Sequence, residues 1–431
     1  MTIHVSRVFT AASLLLAVLL ICSCSFSRLE HDLQEQKSVV RIDAQVVDQA
    51  GGSTPLVAAL VEVSDPVQPR LVNYRELTGQ GSVVFLAPPG LYRVFAFENP
   101  DQSRVYHKEN RFGCSEVIEA QGPGARASVK VVIPKALDNV LAERIDALYQ
   151  GMKREIVNAR AYTGTVTTLD DPAFDKDNVQ MGLWEPYRFT KEVPMGIFFL
   201  GPYDPKKIPV LLIHGVSGSP RNFRRIIDAL DRDRFQPWVF YYPTGFSIEL
   251  VAGYLDLLMD SLCFRHRFKE VEVVAHSMGG LVARAYLTRM RQRPRSYRIN
   301  EFITISTPWG GHKAALSGLK YAPAVIPVWR DIAPGSRFLT ELFERPLPDH
   351  TGFYLLFGFK NKGRFHGENN DGAVTIASQL RQEAQDEAVI LRGFDETHMG
   401  ILEAEEVIRL INGILRGDFS QYARCLKRTG D

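Results

Sequence analysis

"VEVVAHSMGG", residues 271–280, sets a run of apolar, β-branched residues against a turn of small residues with one serine, Ser277, at its tip. A short continuous apolar run that ends in glycines reads as a buried strand. The residues that follow, "GGLVARAYLTRM", carry apolar positions at helical spacing. A strand that turns straight into a helix strains the residue at the tip and projects its side chain beyond the sheet. The pentapeptide Ala275-His276-Ser277-Met278-Gly279 has the G-x-S-x-G pattern with alanine, the next smallest residue, in the first place. Such a serine is either an activated nucleophile or an ordinary turn residue, and the rest of the chain must distinguish the two.

Outward from this stretch the same alternation repeats. "KIPVLLIHG" (207–215), "FQPWVFYYPTG" (235–245), "INEFITISTP" (299–308), "TGFYLLFGFK" (351–360) and "EAVILRGFD" (387–395) are separated by amphipathic helical segments. Continuous apolar strands alternating with helices predict an α/β domain over 206–420, a mostly parallel sheet with helices on both faces. Ligands of such sheets bind beyond the carboxyl ends of the strands. Every polar motif considered below follows a strand.

A serine nucleophile needs a base, an acid that orients the base, and donors for the oxyanion. Of the ten histidines, His398 in "GFDETHMGIL" lies downstream of Ser277, after a predicted strand and before the last helix. Asp371 in "GENNDGAVT" opens a D-G turn after "FYLLFGFK"; an Asn-Asp-Gly turn aspartate is its structural reading. Asp395 and Glu396 crowd His398 within one loop, and Asp331 and Glu368 open no such turn. His276 adjoins the serine and is a poor base, because consecutive side chains on an elbow point apart. Met278 and Val216, the latter in "LLIHGVSGS", are the expected backbone N–H donors. His214 is placed at the substrate pocket. Trp309 lines the pocket or packs in the core. Residues 312–350 are expected to form a cap whose Leu316, Leu319, Tyr321, Val325, Ile326, Val328 and Trp329 either cover an acyl pocket or pack onto the sheet.

Residues 206–416, with "LLIHGVSGS", "VVAHSMGGLVAR", "ITISTPWGG", "NNDGAVT" and "THMGIL" in order, resemble an α/β-hydrolase of the lipase and esterase type. The resemblance implies Ser277, Asp371 and His398 as a triad, Val216 and Met278 as oxyanion donors, no metal or organic cofactor, and an acyl-ester or lipid substrate. The run "STPWGGHKAA" with "DIAPGSRFLTELF" is similar to members acting on lipid esters. An acyltransferase or amidase would use the same triad. A non-catalytic envelope lipoprotein that binds through its N-terminal domain is the alternative from another class.

The first part of the chain differs in kind. "VVRIDAQVVD", "LVAALVEVSD", "GSVVFLAPPG", "LYRVFAFEN" and "ARASVKVVIP" are short alternating runs punctuated by Gly, Pro, Asn and Asp, which predict a small all-β sandwich over 38–135. "GSVVFLAPPGLYRVFAFENPD" (81–101) resembles the prealbumin-like or carboxypeptidase-regulatory-like β-domains of secreted proteins. Residues 136–205 are expected to begin with a joining helix, at 136–161, and to continue as an irregular approach to the second domain.

At the N-terminus, His4 and Arg7 precede an apolar run, Val8 to Ile21, of about 14 residues, short of the ~20 that cross a bilayer. This predicts a signal peptide over 1–23. "ICSCS" resembles a lipobox in which Cys24 is acylated, with 24–37 as a polar tether. The lipobox resemblance implies a protein of a bacterial cell envelope, expected on a membrane surface at the outer membrane or periplasmic face. Cys114, Cys263 and Cys425 show no metal-ligand spacing, and one disulfide among them is left open. The 431 residues, 45% hydrophobic and 23% charged with net charge +2, describe a globular protein and no nucleic-acid binder.

Overall fold

The computed structural model describes residues 25–35, 163–291, 295–361 and 368–418, and 40–136 apart from 53, 66–68, 78, 101–105, 108 and 123–124. The signal peptide, Cys24, the helix expected at 136–161 and Cys425 lie outside the described residues. The chain divides into two compact units, Leu33–Ala161 and Met1–Asp32 with Tyr162–Asp431.

The first unit is a two-sheet β-structure. Its strands are β1 (Val40–Asp48), β2 (Leu56–Glu62), β3 (Arg70–Leu77), β4 (Gly81–Ala87), β5 (Gly90–Glu98), β6 (Phe112–Cys114), β7 (Ile118–Ala120) and β8 (Arg126–Ile133). They form the sheets β4-β1-β8 and β3-β2-β5-β6, with β7 on β5. Strand side chains alternate between faces, so β1 buries Val40, Ile42, Ala44 and Val46 against Leu56, Ala58 and Leu60 of β2 and Val94 and Ala96 of β5. The other face of β2, through Val57, Ala59 and Val61, is buried with Phe95, Phe97 and Phe112. Arg111 ties the strand ends together, donating to Asp48 Oδ1 (2.8 Å), Glu98 Oε1 (2.7 Å) and the Pro134 carbonyl (2.8 Å).

The second unit is built on eight strands: β9 (Thr165–Val166), β10 (Gly196–Phe199), β11 (Ile208–Ile213), β12 (Phe235–Tyr241), β13 (Glu270–His276), β14 (Arg298–Ile305), β15 (Gly352–Gly358) and β16 (Ile390–Phe394). They lie in the order β16-β15-β14-β13-β11-β12-β10-β9. Neighbours from β12 to β16 are parallel, and β10 runs antiparallel to β12. β11, β12 and β13 are buried almost throughout, as expected of strands covered on both faces.

The helices are α1 (25–35), α2 (Lys176–Trp184), α3 (Pro186–Glu192), α4 (Arg224–Asp228), α5 (Ile248–His266), α6 (Met278–Met290), α7 (Lys313–Tyr321), α8 (Pro327–Ile332), α9 (Arg337–Glu341), α10 (Ile376–Gln379), α11 (Gln382–Glu387) and α12 (Glu405–Arg416). Helices α7 to α9 occupy the insertion between β14 and β15. There Ile326 and Val328 are fully buried, while Leu316 and Tyr321 are exposed.

Two boundaries differ from the sequence reading. Part of the segment expected as a tether, 24–37, is helix α1, and its residues up to Asp32 pack on the second unit. Leu29 is fully buried, Phe26 meets the edge of Trp184 at 5.3 Å, and Asp32 accepts from the backbone N–H of Tyr187 and Arg188 at the start of α3 (2.9 and 2.7 Å). The stretch is polar in composition because only this narrow stripe is apolar. Residues 163–205, expected as an approach segment, supply β9, β10, α2 and α3 to the second unit. Among the described residues, no helix is long and apolar enough to cross a membrane.

Candidate active site

The central strand β13 delivers Ser277 to the carboxyl end of the sheet, and α6 starts at the next residue. Ser277 has φ 54° and ψ −130°, a conformation that L-residues hold only when their surroundings impose it. Here its N–H donates to the Ile305 carbonyl of the neighbouring strand (2.8 Å). The glycines are steric necessities. A Cβ on Gly279 would lie 2.2 Å from the Ile213 carbonyl oxygen, one on Gly280 2.1 Å from Thr307 Oγ1, and one on Gly215 2.7 Å from Ser277 Cβ. Ala275, where glycine was expected, is fully buried.

The loops after β15 and β16 bring Asp371 and His398 to this turn. His398 Nε2 lies 3.0 Å from Ser277 Oγ and Nδ1 lies 2.7 Å from Asp371 Oδ2. The backbone N–H of His398 also donates to the Asp371 carbonyl (2.8 Å). Asp371 is fully buried, and its second oxygen accepts from the N–H groups of Val374 (2.7 Å) and Ala373 (3.0 Å). Burial by itself would raise its pKa. The His398 imidazole and these two amides more than offset that, and hold the carboxyl below its ordinary value.

The loop after β11 approaches from the other side. Tyr242 Oη donates to the His214 carbonyl (2.6 Å), and the two rings stack at 4.4 Å. Ser217, at φ 51°, donates its N–H to Thr244 Oγ1 (3.3 Å). Among the described residues, the backbone N–H groups of Val216 and Met278 have no protein acceptor. Each belongs to a residue adjacent to one that holds a positive φ.

The structure places His214, expected at the pocket, and Trp309, left open between pocket and core, in the interior. Trp309 is fully buried, with its ring edge-on to Phe343 and Phe353 at 5.6 Å each, and belongs to the core. His214 is 1% exposed. Its Nδ1 is held at 2.9 Å by the Gly215 carbonyl, and burial pushes its pKa down to about 4, so it is a neutral brace of the loop. The other acids considered lie elsewhere: Asp331 accepts from Ile248 N–H at the start of α5 (2.6 Å), and Glu368 pairs with Lys313. Sequence reasoning gave no role to Tyr242, Thr244 or His276. Tyr242 and Thr244 sit in "YYPTG", where spacing carries no sign of a contact across the sheet end. Among the described residues, no cluster of His, Cys, Asp and Glu is placed to hold a metal ion. Cys263 is buried beside Ser296 Oγ (3.1 Å), and Cys114 is a free thiol.

Residues 204–331 match the model of a family described as the PGAP1-like alpha/beta domain. This match lies within the second unit, whose sheet has the α/β-hydrolase arrangement. No curated protein matches the chain. Among solved structures, this chain is similar to the mature form of the Bacillus licheniformis lipase BlEst2, at 18% identity and a TM-score of 0.41 over 51% of this chain and 97% of that one. It is also similar to Aspergillus fumigatus lipase B, at 13% identity and a TM-score of 0.38 over 52% and 56% of the two chains. Phospholipase PlaB from Legionella pneumophila matches at 16% identity and a TM-score of 0.34 over 40% and 45%.

Proposed function

We propose that the protein is a membrane-tethered serine carboxylic-ester hydrolase of the lipase and esterase kind. The observation that carries this reading is the unbroken relay from Ser277 Oγ to His398 Nε2 and from His398 Nδ1 to Asp371, at 3.0 and 2.7 Å. It ends on a strained elbow beside two N–H groups without acceptors. Ser277 Oγ attacks the ester carbonyl carbon while His398 Nε2 takes its proton. The carbonyl oxygen gains the negative charge and is met by the N–H groups of Val216 and Met278, an arrangement in which each donor is worth about 3 kcal/mol in the transition state. Collapse expels the alcohol, which receives the proton from His398, and leaves an acyl-serine. Water, deprotonated by His398, attacks this ester and releases the acid. Asp371 keeps Nδ1 protonated and the ring aligned throughout.

Acyl esters or lipids suit the apolar residues around the site. Val216 in the oxyanion loop is 39% exposed and Met399 beside the base 48%, while the cap helix α7 exposes Leu316 and Tyr321. The membrane attachment rests on the apolar Val8–Ile21 run and Cys24. Acylation there would hold α1, which starts at residue 25, and with it the hydrolase unit at the surface of a bacterial envelope membrane.

The test is hydrolysis of p-nitrophenyl esters from acetyl to palmitoyl by the full chain in detergent, beside Ser277→Ala and His398→Ala. Activity in the parent that both variants lose is the expected result, with a long-chain optimum for a lipase. A folded parent inert on every ester would overturn the reading in favour of an amidase, an acyltransferase or a binding scaffold. Metabolic labelling with palmitate, lost in Cys24→Ala, tests the anchor.

A further inference from the structure

His276 immediately precedes the serine in the chain, and its side chain does not point idly away. Its Nε2 lies 2.9 Å from the backbone carbonyl oxygen of His398, and the two rings are 4.7 Å apart. A carbonyl can only accept, so Nε2 carries the hydrogen and donates it. The ring is 3% exposed. Burial first, and the neighbouring His398 second, push its pKa down to about 3, which leaves one proton for two nitrogens.

Residue 398 is therefore gripped on both sides of its backbone. Its N–H donates to the Asp371 carbonyl (2.8 Å), its Nδ1 faces Asp371 Oδ2 (2.7 Å), and its C=O receives His276 Nε2 (2.9 Å). Only Nε2 is left to face Ser277. Ser277 and His398 are 121 residues apart in the chain, yet one hydrogen bond joins the residue before the serine to the base itself. His276 is the last residue of β13, in register with Ile305 of β14. Its backbone is thus fixed in a central strand, while the loop that it holds follows β16 at the edge of the sheet.

We propose that His276 is a positioning residue for His398: as a neutral Nε2–H donor it fixes the base loop to the nucleophile strand and sets the distance between base and serine. The proposal rests on the triad reading and adds to it a group that touches neither substrate nor reacting atoms. Loss of the bond leaves binding contacts untouched and frees the base loop. Misplacement of a reacting group by about 1 Å costs up to ~100-fold in rate.

The experiment compares His276→Gln, whose amide N–H₂ can reach the same carbonyl, with His276→Leu, which fills the space without a donor. Ester hydrolysis by the full chain should show kcat down tens-fold in His276→Leu with KM unchanged, and largely restored in His276→Gln. Full kcat in His276→Leu, or equal loss in both variants at parental thermal stability, would overturn the proposal. A reading independent of catalysis is ¹⁵N-histidine NMR of the parent, where His276 should stay a neutral Nε2–H tautomer from about pH 5 to 9. A His276 that carries its proton on Nδ1, or titrates in that range, overturns this proposal alone. An inert parent chain with a neutral Nε2–H His276 instead brings down the triad reading and leaves the bond standing.

Discussion

The two units handle backbone strain and buried polarity in opposite ways. In the β-unit every described residue with positive φ is a glycine, at Gly51, Gly52, Gly79 and Gly122. In the second unit four non-glycine residues hold positive φ, and three of them, Ser217, Ser277 and Ser306, follow the ends of β11, β13 and β14. Buried polar side chains divide likewise. His214, His276, Ser277, Ser306, Thr307, Asn370 and Asp371 gather at the carboxyl ends of the strands of the second unit. The polar residues of the β-unit core are fewer, and Asp48 among them is neutralised by Arg111. Strain and buried polar groups cost stability wherever they occur. Their concentration at one edge of one sheet marks where the molecule gives up stability for chemistry, whereas the β-unit uses its polar contacts to close a structure.

The sharpest way to break this contrast is at the site itself. Asp371→Asn should lower kcat by about 10⁴-fold, because His398 then loses the partner that fixes its tautomer. Steady-state hydrolysis measures it, and a loss below tenfold would remove Asp371 from the relay. The parent should also lose stability in acid. The Asp371 pKa is depressed in the folded state, so its contribution is present above the unfolded value of about 3.9 and disappears as pH falls through the folded one.

Arg111→Ala tests the other side of the contrast. The buried Asp48 and the partly buried Glu98 would lose their cation, at a cost of about 3 kcal/mol to the β-unit. Calorimetry should show the loss while ester hydrolysis stays within about twofold. A parallel fall in kcat would mean that the two units do not divide these tasks.

Smaller effects sharpen the picture. Tyr242→Phe removes the donor to the His214 carbonyl. About 1 kcal/mol, or roughly fivefold in kcat, is expected, and an unchanged kcat would show that the loop after β11 holds its shape without this bond. Glu272, low in β13, is raised to about 7 by burial, against the lowering effect of Asn300 and the Glu301 N–H. Its folded pKa exceeds the unfolded one, so its contribution is present below about pH 4 and is lost as pH rises through about 7. Melting temperatures should therefore favour Glu272→Gln over the parent at pH 8 more than at pH 5. The same difference at both values would show that Glu272 does not titrate there.

Much of the fold was legible because it rests on local pattern. The apolar runs of β11, β12, β13 and β15 are almost wholly buried, and length and glycine boundaries suffice to mark them. The alternation of β1 is equally direct. Less could be read where a segment is polar in composition but docked by a few contacts. Helix α1 is held by Phe26, Leu29 and Asp32, and the antiparallel β10 is only four residues long. Trp309 could not be assigned from sequence to pocket or core, since an indole suits either, and Phe343 and Phe353 close around it only through long-range packing.

By itself, the sequence determined that Ser277 ends a buried strand and begins a helix, because side-chain size and periodicity act over a few residues. The need for glycine at Gly279 and Gly280 came from the tertiary structure, where a Cβ would strike Ile213 and Thr307 of neighbouring strands and loops. Only the tertiary structure decided that Asp371 and His398 meet Ser277, and that His276 and Tyr242 grip the two loops around it. Those are single hydrogen bonds between residues 27 to 122 positions apart in the chain. No local periodicity encodes such a bond; it exists because the parallel strands bring their carboxyl ends to one edge of the sheet.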